Sequence, residues 1–260
     1  MKAVLVQSHV KKGKPEINRG QMMKYLNQAL VEKPDVIVLP ELWNTGYTSE
    51  IKYLSDKAGM PTLNYLTSFA REHRVNVIGG SIADIIEGKL FNHSYVISRQ
   101  GEVVASYSKI HLFGLNNEKD YFVPGKTRCL FYLDDIPCGL MICYDLRFPE
   151  LSRSLALDGA RILFITAQWP RTRIEAWRFL VGARAVENQV YAVAVNRGGK
   201  EGEVSFGGSM AVDPVGNILA EAGEEETLIK VDLDLKKVGE NRKKIFYLKD
   251  RKPETYKNNH

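Results

Sequence analysis

The chain has 260 residues, 44% of them apolar and 26% charged, with 36 basic against 31 acidic side chains and a formal charge of +5. That length supports one domain with a large core, and the balance is ordinary for a soluble globular chain. The small positive excess is scattered and argues against a nucleic-acid partner. Its one local concentration, Lys236, Lys237, Arg242, Lys243, Lys244 and Lys249, reads as a solvated helix face.

The chain enters a β-prone run, Ala3-Val4-Leu5-Val6-Gln7, without an apolar leader. No apolar stretch approaches the roughly 18 residues that a membrane helix needs. Further strands are expected at 35–40, 75–81, 91–98, 102–107, 129–133, 137–143, 160–166, 190–196, 208–213, 217–221 and 227–232. Several are unbroken apolar runs, which suits strands covered on both faces. Helices are expected at 16–32, where Met22, Leu26 and Leu30 recur at spacing four, and at 61–73, 148–158, 173–188 and 234–244. Pro149 suits a first helical turn, with Asp145 as a nearby cap. Gly101-Glu102 and Asp213-Pro214-Val215-Gly216 read as hairpin turns. Strands interleaved with helices point to an α/β fold, a mixed sheet covered by helices.

Three strand ends carry reactive groups. The run Asp35-Val36-Ile37-Val38-Leu39-Pro40 ends in Glu41. Lys109 interrupts the β-prone Tyr107-Ser108-Lys109-Ile110-His111. Cys143 closes Gly139-Leu140-Met141-Ile142 just before a helix start. A charge at the end of a buried strand is costly unless paired, so an acid, a base and a thiol on one sheet edge could satisfy one another. Helix N–H groups near the sulfur would favour thiolate, the nucleophilic form. Amide hydrolysis by a thiol needs a base, a nucleophile and an oxyanion holder. Glu41 is the expected base, Cys143 the nucleophile, and Lys109 with the Tyr144 backbone N–H the oxyanion holder. Lys109 already supplies positive charge, so neither metal nor cofactor is expected.

Cys129, Cys138 and Cys143 make an odd count without zinc-ligand spacing, so a reducing, cytoplasmic home is expected. Two other readings stay open. His111, two residues from Lys109, would share the lysine's face on a strand and could serve as base to the thiol. The chain could also be a silent binding protein.

These segments together resemble the nitrilase, or carbon–nitrogen hydrolase, superfamily. The matching pieces are Leu39-Pro40-Glu41, Tyr107 to Leu112, Ile142 to Glu150, Ala183 to Gln189, Gly208-Ser209 with Asp213 to Gly216, and Asp250 to Tyr256. They run in family order over essentially the whole chain. The resemblance implies a four-layer α-β-β-α sandwich of two mixed sheets, a single domain over 1–260 with an extended tail from about 245, and a homodimer or higher homo-oligomer. It also implies a second glutamate that hydrogen-bonds the lysine and positions substrate. Glu118, seven residues before Gly125, lies at that offset; Asp120 competes if the loop is registered differently.

The substrate segment is Thr166-Ala167-Gln168-Trp169-Pro170-Arg171-Thr172-Arg173, just past a strand end, where α/β sheets line their crevices. Trp169 is an expected apolar wall. Arg171 or Arg173 would suit a substrate carboxylate, while Arg147 reads better as a structural salt bridge. The Gln168-Trp169-Pro170 triplet resembles the ω-amidase branch, implying amide substrates such as 2-oxoglutaramate. Deaminated-glutathione and N-carbamoyl amino acid hydrolases are the neighbouring alternatives. His93, where a smaller residue is usual, is either a satisfied strand histidine or a pocket contact.

Overall fold

Successive residues of the first strand face different neighbours. Ala3 and Leu5 join a core cluster with Ile142, Phe164 and Val193, whereas Val4 and Val6 pack with Leu26 and Phe69. Strand side chains alternate between faces, so one face of this sheet meets a second sheet and the other meets helices. The structure is a computed structural model and describes residues 1–256, for Asn116 the backbone alone.

The first sheet runs, edge to edge, through Thr227–Asp232, Lys2–Gln7, Val36–Val38, Asn76–Ile78, Lys89–Ile97, Ile82–Ile86 and Asp56–Lys57, with Val103–Ser108 also paired to Lys89–Ile97. The second runs through Ile218–Glu221, Met210–Val212, Tyr191–Asn196, Ile162–Ala167, Ile136–Ile142 and Cys129–Leu133. Both mix parallel and antiparallel pairs. Helices Pro15–Ala29 and Thr62–His73 cover the first sheet, burying Met22, Leu26, Leu66 and Phe69. Helices Pro149–Leu157 and Ile174–Asn188 cover the second, burying Leu151, Leu155, Trp177 and Val181. This is the expected α-β-β-α sandwich.

Expected and observed elements differ in places. The strand Ile82–Ile86 was not anticipated, because Asp84 sits in its middle; there Tyr95 Oη and Gly59 N–H donate to the carboxylate at 2.7 and 2.9 Å. The strand expected at 75–81 ends at Ile78, and Gly79 and Gly80 turn the chain away. The helix expected over 16–32 ends at Ala29 and tightens into a 3-10 turn at Leu30–Glu32. Past Lys244, apart from the 3-10 turn Pro253–Thr255, the described residues of the tail form neither helix nor strand. Its last four positions, 257–260, belong to the extended tail expected from sequence and lie outside the described residues.

Candidate active site

Cys143 stands one residue past the strand Ile136–Ile142, at φ +48°. A left-handed backbone is uncommon for a side chain other than glycine and persists only where the surroundings enforce it. Asp145 does much of that enforcing. Its carboxylate accepts from Ile142 N–H at 2.9 Å, Tyr107 Oη at 2.7 Å and His111 N–H at 3.0 Å. The turn Cys143–Arg147 is thereby tied to both sheets, and Arg184 Nε holds the Leu146 carbonyl from the helix behind. Tyr144 N–H falls in the first turn of this 3-10 helix, where amides lack intrahelical acceptors.

Glu41 follows the strand Val36–Val38 and is fully buried. Its approach depends on Gly80, which adopts φ +64°; a Cβ there would stand 2.1 Å from the Pro40 carbonyl oxygen. Lys109 follows the strand Val103–Ser108 and is 1% exposed. Its backbone is held by Asn92 O and by Gly125 N–H, at 2.9 and 2.8 Å. Gly125 has no room for a side chain, since its Cβ would meet Ser108 O at 2.0 Å.

The two charged groups meet. Lys109 Nζ donates to Glu41 Oε1 and to Glu118 Oε1, each at 2.8 Å. Glu118 opens the short helix Glu118–Tyr121 and is 1% exposed, whereas Asp120 faces solvent. Phe113 N–H donates to Glu118 Oε2 at 3.0 Å. Glu41 Oε1 also accepts from Tyr47 Oη and Asn92 Nδ2, at 2.8 and 2.9 Å, and Oε2 accepts the Gln168 N–H at 2.8 Å. Tyr47 and Asn92 were missed from sequence. Asn92 lay in the segment where His93 drew attention; Tyr47, in a loop, carried no signal.

Burial drives the Glu41 carboxyl upward, but Lys109 and the donors from Tyr47 and Cys143 prevail and hold it below its usual range. Burial lowers Lys109, yet the two carboxylates outweigh it and keep the ammonium charged. Burial, together with the charge of Glu41, pushes Glu118 up against the pull of Lys109. The Cys143 thiol is pushed well up by burial and by Glu41, with Lys109 opposing. Burial and the Glu41 charge thus work against the thiolate that the following turn is expected to favour.

Cys143, 9% exposed, borders a narrow cleft. Tyr47, Phe113, Glu118, Tyr144, Gln168, Trp169 and Pro170 line it, with Arg147 and Arg173. Trp169 is clamped by Asn196, which accepts from its N–H at 2.7 Å and donates to its carbonyl at 2.8 Å. The Arg147 guanidinium lies 4.8 Å above the Trp169 ring, and that of Arg173 lies 5.2 Å from the Phe113 ring. Among the described residues neither arginine has an acidic partner within salt-bridge distance. Arg147 is thus a cleft residue rather than the structural ion pair expected. Arg171 instead pairs with Glu224 at 3.1 Å and is absent from the lining. Gln168 faces the cleft and also donates through Nε2 to the Glu41 carbonyl at 2.7 Å.

The histidines do not join this site. The strand before Lys109 stops at Ser108, so strand alternation does not put His111 on the lysine's face. It binds Asp145 at 2.7 Å, stacks on Phe148, and lines the neighbouring groove. His93 is the satisfied strand histidine, with Nδ1 2.8 Å from Ser108 Oγ. Among the described residues all three cysteines are free, no cluster of His, Cys, Asp and Glu is arranged to hold a metal ion, and no helix is long and apolar enough to cross a membrane.

Comparison with known proteins gives a consistent picture. A family model described as carbon–nitrogen hydrolase matches residues 2–243. The 2-oxoglutaramate amidase of Bacillus subtilis (strain 168) is 35% identical over 253 residues, covering 96% of this chain and 97% of the relative. The omega-amidase NIT2 of Mus musculus is 33% identical over 263 residues, covering 97% of this chain and 95% of that protein. Among solved structures, a mutant of the amidase from Nesterenkonia sp. AN1 superposes with a TM-score of 0.85 at 28% identity, covering 98% of this chain and 95% of that one. Its active-site cysteine carries the acetamide moiety of fluoroacetamide as a covalent adduct.

Proposed function

The chain belongs to the carbon–nitrogen hydrolase family, and from that premise we propose that it is an ω-amidase, cleaving the terminal carboxamide of 2-oxo dicarboxylic acid monoamides such as 2-oxoglutaramate through a cysteine thioester. The observation that carries the reading is that buried Glu41 pairs with Lys109 and neighbours Cys143, which opens on a cleft also lined by Arg147 and Arg173, neither with an acidic partner among the described residues. The similarity to a 2-oxoglutaramate amidase supports the substrate class.

Sulfur attacks the amide carbon as Glu41 takes the thiol proton, so free thiolate never accumulates in the buried site. The oxygen becomes an oxyanion, held by Lys109 Nζ and the Tyr144 N–H. Glu41 passes its proton to nitrogen, the C–N bond breaks, and ammonia leaves a thioester on Cys143. A water then gives its proton to Glu41 and attacks the thioester. The C–S bond breaks and sulfur recovers the proton. A base that must both accept and return a proton works best where neither form is frozen out. The opposed effects of burial and Lys109 on Glu41 serve that balance.

Substrate carboxylate binds the guanidiniums of Arg173 and Arg147, whose planar donors match it, and the carbon chain lies along Trp169 and Phe113. Exposed Phe179, Val186, Val215, Ile218 and Phe246, on or beside the second sheet's outer helices, form the contact face of a homodimer. The enzyme works in the cytoplasm without metal or cofactor.

The test is ammonia release from 2-oxoglutaramate, 2-oxosuccinamate, glutamine, an N-carbamoyl amino acid and a simple nitrile, with Cys143→Ala as control. The 2-oxo acid amides should be the best substrates. Faster turnover of the carbamoyl compound or the nitrile would overturn the branch assignment.

A further inference from the structure

Tyr47 sits between two carboxylates. Its hydroxyl lies 2.8 Å from Glu41 Oε1 and makes a short hydrogen bond with Glu118 Oε1. A phenol carries one hydrogen and can donate to only one of them. The other oxygen–oxygen contact needs a proton of its own. Two ionised carboxylates beside one ammonium would also leave net negative charge where Glu41, Lys109 and Glu118 are at most 1% exposed. Uncompensated buried charge is expensive, and neighbouring carboxyls commonly share a proton to avoid it. One additional proton answers both problems.

The donors decide where that proton rests. Besides Tyr47, Glu41 accepts from Lys109, Asn92 and the Gln168 N–H. Glu118 accepts only from Lys109 and the Phe113 N–H among the described residues. Hydrogen bonds to a carboxylate favour its ionised form, so Glu41 keeps the charge. We infer that Glu118 is a neutral carboxylic acid in the substrate-free protein, donating its proton to Tyr47 Oη while Tyr47 donates to Glu41 Oε1, so that two carboxyls share one proton along a single line. The upward shift of Glu118 and the downward shift of Glu41 agree. Lys109, Glu41 and Cys143 act on Glu118, and Arg147 and Arg173 line the same cleft.

The buried set then sums to zero: one carboxylate, one ammonium, a neutral acid and a neutral thiol. Tyr47 and Glu118 are positioning residues that act through Glu41. They leave it charged while giving it a donor that does not compete for its proton. This use in turnover rests on the amidase reading; the protonation state does not.

The test therefore uses the protein without substrate. Neutron diffraction from the deuterium-exchanged wild type at neutral pD should place one deuteron on Glu118, pointing at Tyr47, and the phenolic deuteron pointing at Glu41. A deuteron on Glu41 instead, or none on either carboxyl, would overturn the inference. Infrared spectroscopy with ¹³C-labelled glutamate supplies a second measurement in solution. The wild type and Cys143→Ala should both show the C=O stretch of a buried glutamic acid, and Tyr47→Phe should move it to higher frequency by removing its acceptor. A missing band in folded wild type, or one that Tyr47→Phe leaves unmoved, would sink the proposal. Failure of the amidase reading alone would leave both measurements as expected.

Discussion

Gln168 grips Glu41 at two points: its backbone N–H binds the carboxylate at 2.8 Å, and its side-chain amide binds the Glu41 carbonyl at 2.7 Å. The strand end of one sheet thereby fixes the buried carboxylate of the other. Gln168→Ala keeps the first bond and loses the second, stranding a buried carbonyl at a cost of about 1–3 kcal/mol. The fold should survive with a lower melting temperature, and kcat should drop on the order of tenfold while KM changes little. Steady-state kinetics beside thermal melts check this; a change confined to KM would contradict it.

Lys109 is the sole cation within hydrogen-bonding distance of Glu41 and Glu118 among the described residues. Lys109→Met leaves buried carboxyl groups without their counter-charge. Breaking such a pair from one side typically costs about 3–5 kcal/mol. Loss of an oxyanion donor costs a further 10²–10³-fold or so in kcat. Lys109→Arg should not rescue activity, because a planar guanidinium cannot occupy the compact space of an ammonium. Urea unfolding and ammonia release read both effects; a fully active arginine variant would refute the role.

The arginines of the 166–173 segment should separate cleanly. Arg173 lines the cleft, whereas Arg171 is engaged with Glu224 outside it. A charge-assisted hydrogen bond is worth about 1.5–3 kcal/mol, so Arg173→Gln should lower kcat/KM for 2-oxoglutaramate about 10- to 150-fold. A neutral aliphatic amide should be little affected, and Arg171→Gln should stay within about threefold of wild type on both, a surface change of the usual ±0.5 kcal/mol. Equal losses on charged and neutral amides would count against a carboxylate subsite.

His93 predicts a pH dependence of stability. Burial lowers it from 6.5 to about 4, with Asp84 opposing. The unfolded chain takes up its proton near 6.5 and the folded protein only near 4, so stability from this group is constant above 6.5 and falls as acid is added. The loss by pH 4 is about 3 kcal/mol. His93→Gln should flatten the decline in urea midpoint between pH 6.5 and 4. An unchanged slope would show that other groups carry it.

Much of this molecule can be read before any coordinates. Glu41, Lys109 and Cys143 each end a β-prone run, where a charged or reactive group has no structural reason to stand. Glu118 is legible only through the family resemblance, which implies a second glutamate at its offset to Gly125. What escapes is whatever depends on partners distant in sequence. Tyr47 lies in an irregular loop, and its importance arises only from carboxyl groups six and 71 residues away. The strand Ile82–Ile86 hides behind Asp84, whose partners Tyr95 and Gly59 come from elsewhere in the chain. Arg147 reads as the ion-paired arginine and Arg171 as a carboxylate binder until Glu224 proves to neighbour Arg171.

Glu41 and Lys109 hang from one sheet, while Cys143 and Gln168 hang from the other. No half of the chain therefore owns a working nucleophile. A nascent polypeptide emerging from the ribosome would carry an ordinary sulfhydryl, unreactive toward cellular amides, until its last layers close together. The cluster of Glu41, Lys109, Cys143 and Gln168 is complete only once the two sheets have packed.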